Sequence, residues 1–280
     1  MAEFDNLMES VKDKTEGTQK AYKSQYKKLR RLLDDEDIGL SSQRKLIGII
    51  NEEENINQQQ ALLNIAILVR RLDKLNTKEL EKQRDKNKSQ IINKVKENNK
   101  KFAEKEGMPS IEDLEDFTEY LWDKGEWTDY VINYLLLNYQ VRNADLNFDI
   151  VKFKRDTKDD EKNYMWVSKN GFVDYIRNVY KTSGTYGRKV IKIKDPKFHT
   201  AMRRILGCQK SNLDCGVFIP NENQIGYYIK KATYKGIGEA NYLKIVIDAN
   251  RGDLQKLKEI SDNRGTSLDT LLSNYDIKKV

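Results

Sequence analysis

Apolar residues at helical spacing predict a helical domain in the first part of the chain. In the segment 18–33, tyrosines and leucines recur every three or four positions, and Thr18 is the expected N-cap. Two further apolar stretches, 46–50 and 61–72, predict two more helices. We therefore expect residues 1–75 to form a small helical bundle with basic faces.

Residues 76–107 have a different composition. The segment is rich in Lys, Glu and Asn and poor in apolar residues, which is typical of a solvated helix or of a linker. A functional alternative is a strap whose lysines lie along DNA phosphates. Gly107 and Pro109 mark its end.

The pattern from residue 108 to 280 predicts a second domain of mixed structure. Ser110, with Asp113 three residues later, predicts a helix start with an acidic capping box. Apolar and β-branched runs then predict helices, two strand segments and further helices. The predicted elements are helices at 111–123 and 130–139, a strand at 164–167, a hairpin at 172–193, a helix at 198–206 and a helical end from 224 to 280. The expected class is α+β, mostly helical, with a small antiparallel sheet.

The charge balance of the chain indicates the class of its binding partner. The chain has 51 Lys and Arg against 44 Asp and Glu, a formal net charge of +7, which favours polyanions and above all nucleic acid. No run of 18 apolar residues or secretory signal is present, so we expect no membrane partner. Cys208 and Cys215 lack further ligands at zinc spacing. Two thiols in so long a chain favour an intracellular, reducing compartment.

Three segments of the second domain carry candidate chemistry. An apolar helix is followed by Arg142, with Asp145 three residues later, and the hairpin carries Lys181 and Lys189 on either side of its turn. The C-terminal segment contains Gly265-Thr-Ser and, nine residues after Thr266, Tyr275. In order and spacing these segments resemble the catalytic domain of the tyrosine recombinases, the phage-type integrases.

The resemblance implies a role for each residue. Tyr275 would be the nucleophile, Arg142 the first catalytic arginine, and Lys181 the hairpin lysine, with Lys189 as the fallback. The family's His-x-x-Arg box falls on Asn241 and Lys244, and its later histidine on Thr266. These positions depart from the family pattern, and the one histidine, His199, cannot restore both.

The implied chemistry is plausible from the residues themselves. A tyrosine that attacks a phosphate forms a covalent intermediate, and fixed cations stabilise the charge of the transition state. Lys244 supplies charge without the planar fork of arginine. Asn241 and Thr266 can donate hydrogen bonds but cannot carry a proton near neutral pH. No metal or cofactor is required.

The resemblance also implies double-stranded DNA as partner and a dimer or tetramer on that DNA. The first domain is similar to the family's DNA-clamping domain in character only. The basic residues that we expect to contact DNA are Lys23, Lys27, Arg30, Arg70 and Arg71, with Lys189 in the second domain.

Other interpretations remain open. Within the same fold, the chain could be an active recombinase or integrase, a DNA-binding protein that has lost catalysis, or an enzyme similar to type IB topoisomerases. Tyr275 could instead be a packing residue, and Arg142 could complement the C-terminus of a helix. Arg251 and Arg264 are alternative cations, which we expect on the surface, and His199 is expected at a loop or helix start.

Overall fold

The computed structural model describes residues 2–105, 107–209, 218–219 and 224–277. The chain is mostly helical with one small sheet, which confirms the expected α+β class. It divides into two compact units, residues 1–98 and residues 99–280. The side chain of Cys208 and the whole of Cys215, on which we based the thiol prediction, lie outside the described residues.

The first unit is helical, as its apolar pattern predicts. Its core is formed by leucines and isoleucines on the inward faces of the helices, including Leu29, Leu46 and Leu62. Its helices are α1 (Ala2–Ser10), α2 (Glu16–Leu32), α3 (Gln43–Asn51), α4 (Ile56–Leu72) and the first part of α5 (Lys78–Ala103). The charged segment 76–107 is therefore largely one long helix rather than an irregular linker.

Two predictions for the first unit were wrong in detail. Helix α2 starts at Glu16 and is capped by Thr15, whose hydroxyl accepts a hydrogen bond from the backbone N of Thr18. Thr18 therefore lies inside the helix and is not its cap. Arg70 is not available to DNA, because its buried guanidinium donates to the carbonyls of Ser41 at 2.7 Å and Asn76 at 3.1 Å.

The second unit begins as the sequence predicts. The Ser110 backbone N donates to Asp113 Oδ2 at 2.8 Å, and the Asp113 N donates to Ser110 Oγ at 3.2 Å, a complete capping box. Helix α6 (Ile111–Lys124) leads to α7 (Trp127–Tyr139), whose apolar residues are buried in the core. The later helices are α8 (Ser183–Tyr186), α9 (Pro196–Gln209), α10 (Ile225–Ala232), α11 (Glu239–Ala249), α12 (Leu254–Arg264) and α13 (Leu268–Tyr275).

The sheet is mixed rather than purely antiparallel. Its order is β1 (Asp149–Val151), β2 (Tyr164–Val167), β3 (Val173–Arg177) and β4 (Lys189–Ile193). The predicted hairpin is present as the antiparallel pair β3–β4, with α8 inside its connection. The unexpected strand β1 runs parallel to β2, so the expectation of an antiparallel sheet was wrong at that edge. The register places Arg177 opposite Lys189 at one end of the hairpin.

No helix among the described residues is both long and apolar enough to cross a membrane. Within the same residues, no group of three or more His, Cys, Asp or Glu side chains is arranged to hold a metal ion.

Candidate active site

A tight turn after α7 positions Arg142. Gln140 is the C-cap of this helix; it is buried and adopts a left-handed conformation with φ 45°. A 3₁₀ turn (Asn143–Leu146) follows, in which the Arg142 backbone N donates to Asp145 Oδ2 at 2.9 Å and the Asp145 N donates to the Arg142 carbonyl at 2.9 Å. These bonds fix the backbone from which the Arg142 side chain extends.

A second arginine, which the sequence analysis missed, lies beside this turn. Arg177, at the end of β3, has 0% of its surface exposed. It donates to Asp145 Oδ2 at 2.6 Å and to the Asn263 carbonyl at 2.6 Å, and it lies 4.6 Å from the ring centre of Tyr180. Strand geometry places Arg177 on the same face as Val173 and Tyr175, but all five residues of β3 are buried, so the strand pattern does not single out Arg177.

Arg264 was expected on the surface, and this expectation was wrong. It is the last residue of α12 and is only 4% exposed. Its guanidinium donates to the carbonyls of Gln140 at 3.0 Å and Val141 at 3.2 Å and pairs with Glu239. Arg264 therefore joins the ends of α7 and α12 and the start of α11.

The structure brings Lys189, and not Lys181, to these arginines. The Lys189 ammonium donates to the Asp262 carbonyl and lies 5.6 Å from the ring centre of Tyr180. Burial, and then the positive charge of Arg177, lower the pKa of Lys189 below the ordinary lysine value. Lys181 is exposed and makes no such contact with the described residues, and the helical turn α8 follows it in the chain.

Together Arg142, Arg177, Arg264 and Lys189 form what we call the basic cluster. The carboxylates of Asp145 and Glu239 lie within it, and exposed Asp262 acts on Lys189 at its edge. Four cations therefore face three carboxylates, and the cluster keeps an excess of positive charge.

Arg142 is the member of the basic cluster best suited to bind an anion. Burial, and then repulsion from Arg264, lower its pKa. Its Nη1 atom is buried and finds no hydrogen-bond partner within the described part of the chain. A buried donor without a partner is costly, so an anion that accepts from Arg142 would be stabilised there.

Tyr275 ends α13 next to this cluster. Its hydroxyl lies 3.4 Å from Arg264 Nη2, and its ring centre lies 5.5 Å from Arg264 Cζ. Helix α13 is capped by Ser267, whose hydroxyl accepts from the Thr270 backbone N at 3.2 Å. The predicted tyrosine and the predicted first arginine are thus both linked to Arg264, one by contact and one through charge.

The turn before α13 is anchored to the hairpin. Gly265 has φ 60°, and a Cβ at this position would lie 2.6 Å from Thr182 Oγ1. The Thr182 hydroxyl donates to the Gly265 carbonyl at 2.8 Å. This close approach fixes the start of α13 and thereby the position of Tyr275 at the end of that helix.

The residues at the His-x-x-Arg positions do not join the basic cluster. Lys244 lies 4.8 Å from the ring centre of Phe102, and burial lowers its pKa. Asn241 is half-buried, and its backbone N donates to the Gly238 carbonyl at 2.9 Å. For neither side chain do the described residues include a partner from the cluster.

Thr266 and His199 are also placed by local structure. The Thr266 carbonyl accepts from Ser261 Oγ at 3.0 Å, at the turn between α12 and α13. His199 lies in the first turn of α9, as expected for a helix start, and its Nε2 is 2.8 Å from the Ser168 carbonyl oxygen. Neither side chain is bonded to the basic cluster among the residues that the structure describes.

The first unit presents part of its predicted basic surface. Lys23 and Lys27 are exposed on α2, and Arg71 is exposed but paired with Glu81 at 2.8 Å. Arg30 is half-buried and pairs with Asp37. Lys23 and Lys27 are therefore the residues of this set best placed to meet a phosphate.

Comparisons of the chain with protein-family models, with curated proteins and with solved structures found no match.

Proposed function

We propose that this protein binds double-stranded DNA and cleaves and rejoins its strands through a phosphotyrosyl intermediate, as a site-specific recombinase or integrase does. The observation that carries the proposal is the contact between the Tyr275 hydroxyl and Arg264, a member of a cation-rich cluster that also holds an unpartnered Arg142 nitrogen. A nucleophile beside fixed cations is the arrangement that attack on a phosphodiester requires.

In the proposed reaction the Tyr275 oxygen attacks the phosphorus and the bond to the 5′-oxygen breaks. Arg142, a half-buried residue, binds a nonbridging oxygen through its guanidinium, and Arg264 holds the attacking hydroxyl. The phenolic proton passes to water, because neither Asn241 nor Thr266 can take it. Attack by a 5′-hydroxyl on the phosphotyrosyl group reverses the steps and rejoins the strand.

Lys189 takes the place of the hairpin lysine, which the resemblance first put at Lys181, and we assign it the role of general acid. A general acid works best when its pKa lies near the working pH, and the pKa of Lys189 is lowered toward that range. The leaving 5′-oxygen would take its proton from the Lys189 ammonium. In the reverse step the neutral amine would accept the proton of the attacking 5′-hydroxyl.

A second candidate is a DNA-binding protein of the same architecture that has lost catalysis. It is favoured by the position of Lys244, whose ammonium lies over the ring of Phe102 and adds no charge to the basic cluster. In that case the basic cluster would hold a phosphate without cleaving it.

Nicked duplexes that trap a covalent intermediate separate the two candidates. The wild-type protein should form an adduct that survives a denaturing gel, whereas Tyr275→Phe should form none. Tyr227→Phe is the matched control, since Tyr227 is 67% exposed and outside the cluster, and it should behave as wild type. DNA binding without an adduct by any variant, across duplexes of varied sequence, would favour the second candidate.

A further inference from the structure

The outer face of the sheet carries aromatic and basic side chains that the proposed cleavage reaction does not use. Trp166 on β2 is half-buried, and Phe153, which follows β1, is 44% exposed. Phe172 meets Trp166 edge to face, with ring centres 5.6 Å apart. A contiguous group of aromatic rings at a surface, rimmed by polar residues, can mark a binding site.

At least one cation lies over each of these rings. Arg155 Cζ lies 4.8 Å from the ring centre of Phe153, and Lys154 Nζ lies 5.2 Å from that of Trp166. Lys192 Nζ lies 4.4 Å from the ring centre of Phe172, and Lys152 is also near Phe153, at 5.6 Å. Rings and cations thus alternate across one surface.

The acids of this face do not cancel its positive charge. Lys162 lies 3.7 Å from Asp149, and Arg155 lies 3.8 Å from Asp156, so each of these acids has a cation of its own. Lys152, Lys154 and Lys192 lie over aromatic rings and form no ion pair within the described part of the chain, and Lys192 is opposite Asp174 in the sheet register. The surface therefore suits a polyanion that also offers flat apolar groups.

Asp174 adds a feature specific to unpaired bases. The register places it between Trp166 and Lys192 on the outer face. It is buried, and its Oδ1 accepts no hydrogen bond within the described part of the chain. A base edge carries N–H donors that are occupied in a duplex and free in a single strand.

We propose that this face, which we call the aromatic–basic face (Phe153, Trp166, Phe172, Lys152, Lys154 and Lys192), binds single-stranded DNA by stacking of bases. The exposed ring of Phe153 and the half-buried rings of Trp166 and Phe172 supply stacking, lysines neutralise the phosphates, and Asp174 can accept from a base donor. The proposal goes beyond strand cleavage and does not depend on Tyr275 being a nucleophile. A single strand arises wherever a duplex next to a break is opened.

The test measures binding of a labelled oligo(dT) to full-length protein carrying Tyr275→Phe, so that no covalent adduct contributes. Phe153→Leu keeps apolar bulk but removes the π-face, and it should weaken binding at least about fivefold, whereas Phe153→Tyr should bind within about twofold of the parent. Tyr120→Ala is the matched control, because Tyr120 is 53% exposed and has Lys124 over its ring at 5.5 Å. It should bind as the parent does.

Intrinsic fluorescence gives a second measurement. Trp122 and Trp127 pack against the core, so oligo(dT) should quench Trp166, and Trp166→Phe should remove that quenching. The proposal is overturned if Phe153→Leu binds oligo(dT) as tightly as the parent. It is also overturned if Phe153→Leu loses as much affinity for a blunt duplex or for a polyglutamate peptide, since the face would then be a general polyanion or duplex surface.

Discussion

At the scale of the residue, the central feature is Arg142, a cation that lies close to other cations and has a nitrogen without a hydrogen-bond acceptor. Arg142 Nη1 has no partner among the described residues, and Arg264 repels its charge. Such a group contributes little to folding and much to anion binding.

Arg142→Gln should therefore separate function from stability. We expect cleavage to fall about 10²- to 10³-fold, the loss typical of removing one preorganised donor to a transition-state oxygen. The melting temperature should stay the same or rise, because repulsion with Arg264 disappears. Single-turnover cleavage and thermal unfolding measure the two effects, with Arg203→Gln as an exposed control. A large loss of stability with unchanged cleavage would contradict the assignment.

Lys189 makes a prediction about pH. Its pKa is lowered, so its ammonium form is lost at a lower pH than that of an ordinary lysine as the pH rises. If it protonates the leaving oxygen, cleavage should decline on the alkaline side at a pH below 10.5, the ordinary lysine value. Lys189→Arg stays charged and should lose that decline, at a lower maximum rate. A decline that persists unchanged in Lys189→Arg would assign the titration to another group.

At the scale of the element, the sequence predicted what local periodicity controls. Helices α2, α3, α4, α6, α7 and α9, the helical end of the chain and the pair β3–β4 were expected from their apolar spacing, whereas α1 and α8 were not. Strand β1 was missed because it has only three residues, too few for a pattern.

The candidate site was predicted less completely, for a tertiary reason. Tyr275 and Arg142 were found from motif spacing, whereas Arg177 and Arg264 are buried by partners distant in sequence, such as Asp145 and Gln140. Lys189, and not Lys181, lies at the basic cluster. The connection between β3 and β4 contains the helical turn α8, which the sequence pattern did not predict. Spacing along the chain does not reveal such tertiary neighbours.

The turn between α12 and α13 is the element that positions the proposed nucleophile, Tyr275. Gly265→Ala should destabilise the fold by about 1–2 kcal/mol from its left-handed backbone alone, and the clash with Thr182 Oγ1 should add to this. Cleavage should fall further than the remaining folded fraction explains, because α13 begins at this turn. Gly252→Ala is the control, since nothing lies within 4 Å of its added Cβ. Equal stability of the two variants in denaturant unfolding would refute this role of the turn.

At the scale of the whole molecule, a formal charge of +7 should make DNA binding steeply dependent on salt. The exposed Lys23 and Lys27 are expected to lie against phosphates. The double variant Lys23→Gln/Lys27→Gln should reduce the slope of log K against log salt by about 0.9 for each phosphate that the protein no longer neutralises. Fluorescence anisotropy over a salt series measures this slope. A slope identical to that of wild type would show that α2 does not bind the DNA backbone.

The most direct test of the central claim is to locate the covalent bond. Adduct trapped on a nicked duplex would be digested with nuclease and protease, and the nucleotide-bearing peptide identified by mass spectrometry. The proposed reaction predicts one modified peptide, from the C-terminal segment, with the nucleotide on Tyr275. A nucleotide on any other residue would contradict the assignment of the nucleophile, and DNA binding without any modified peptide would contradict catalysis by this site.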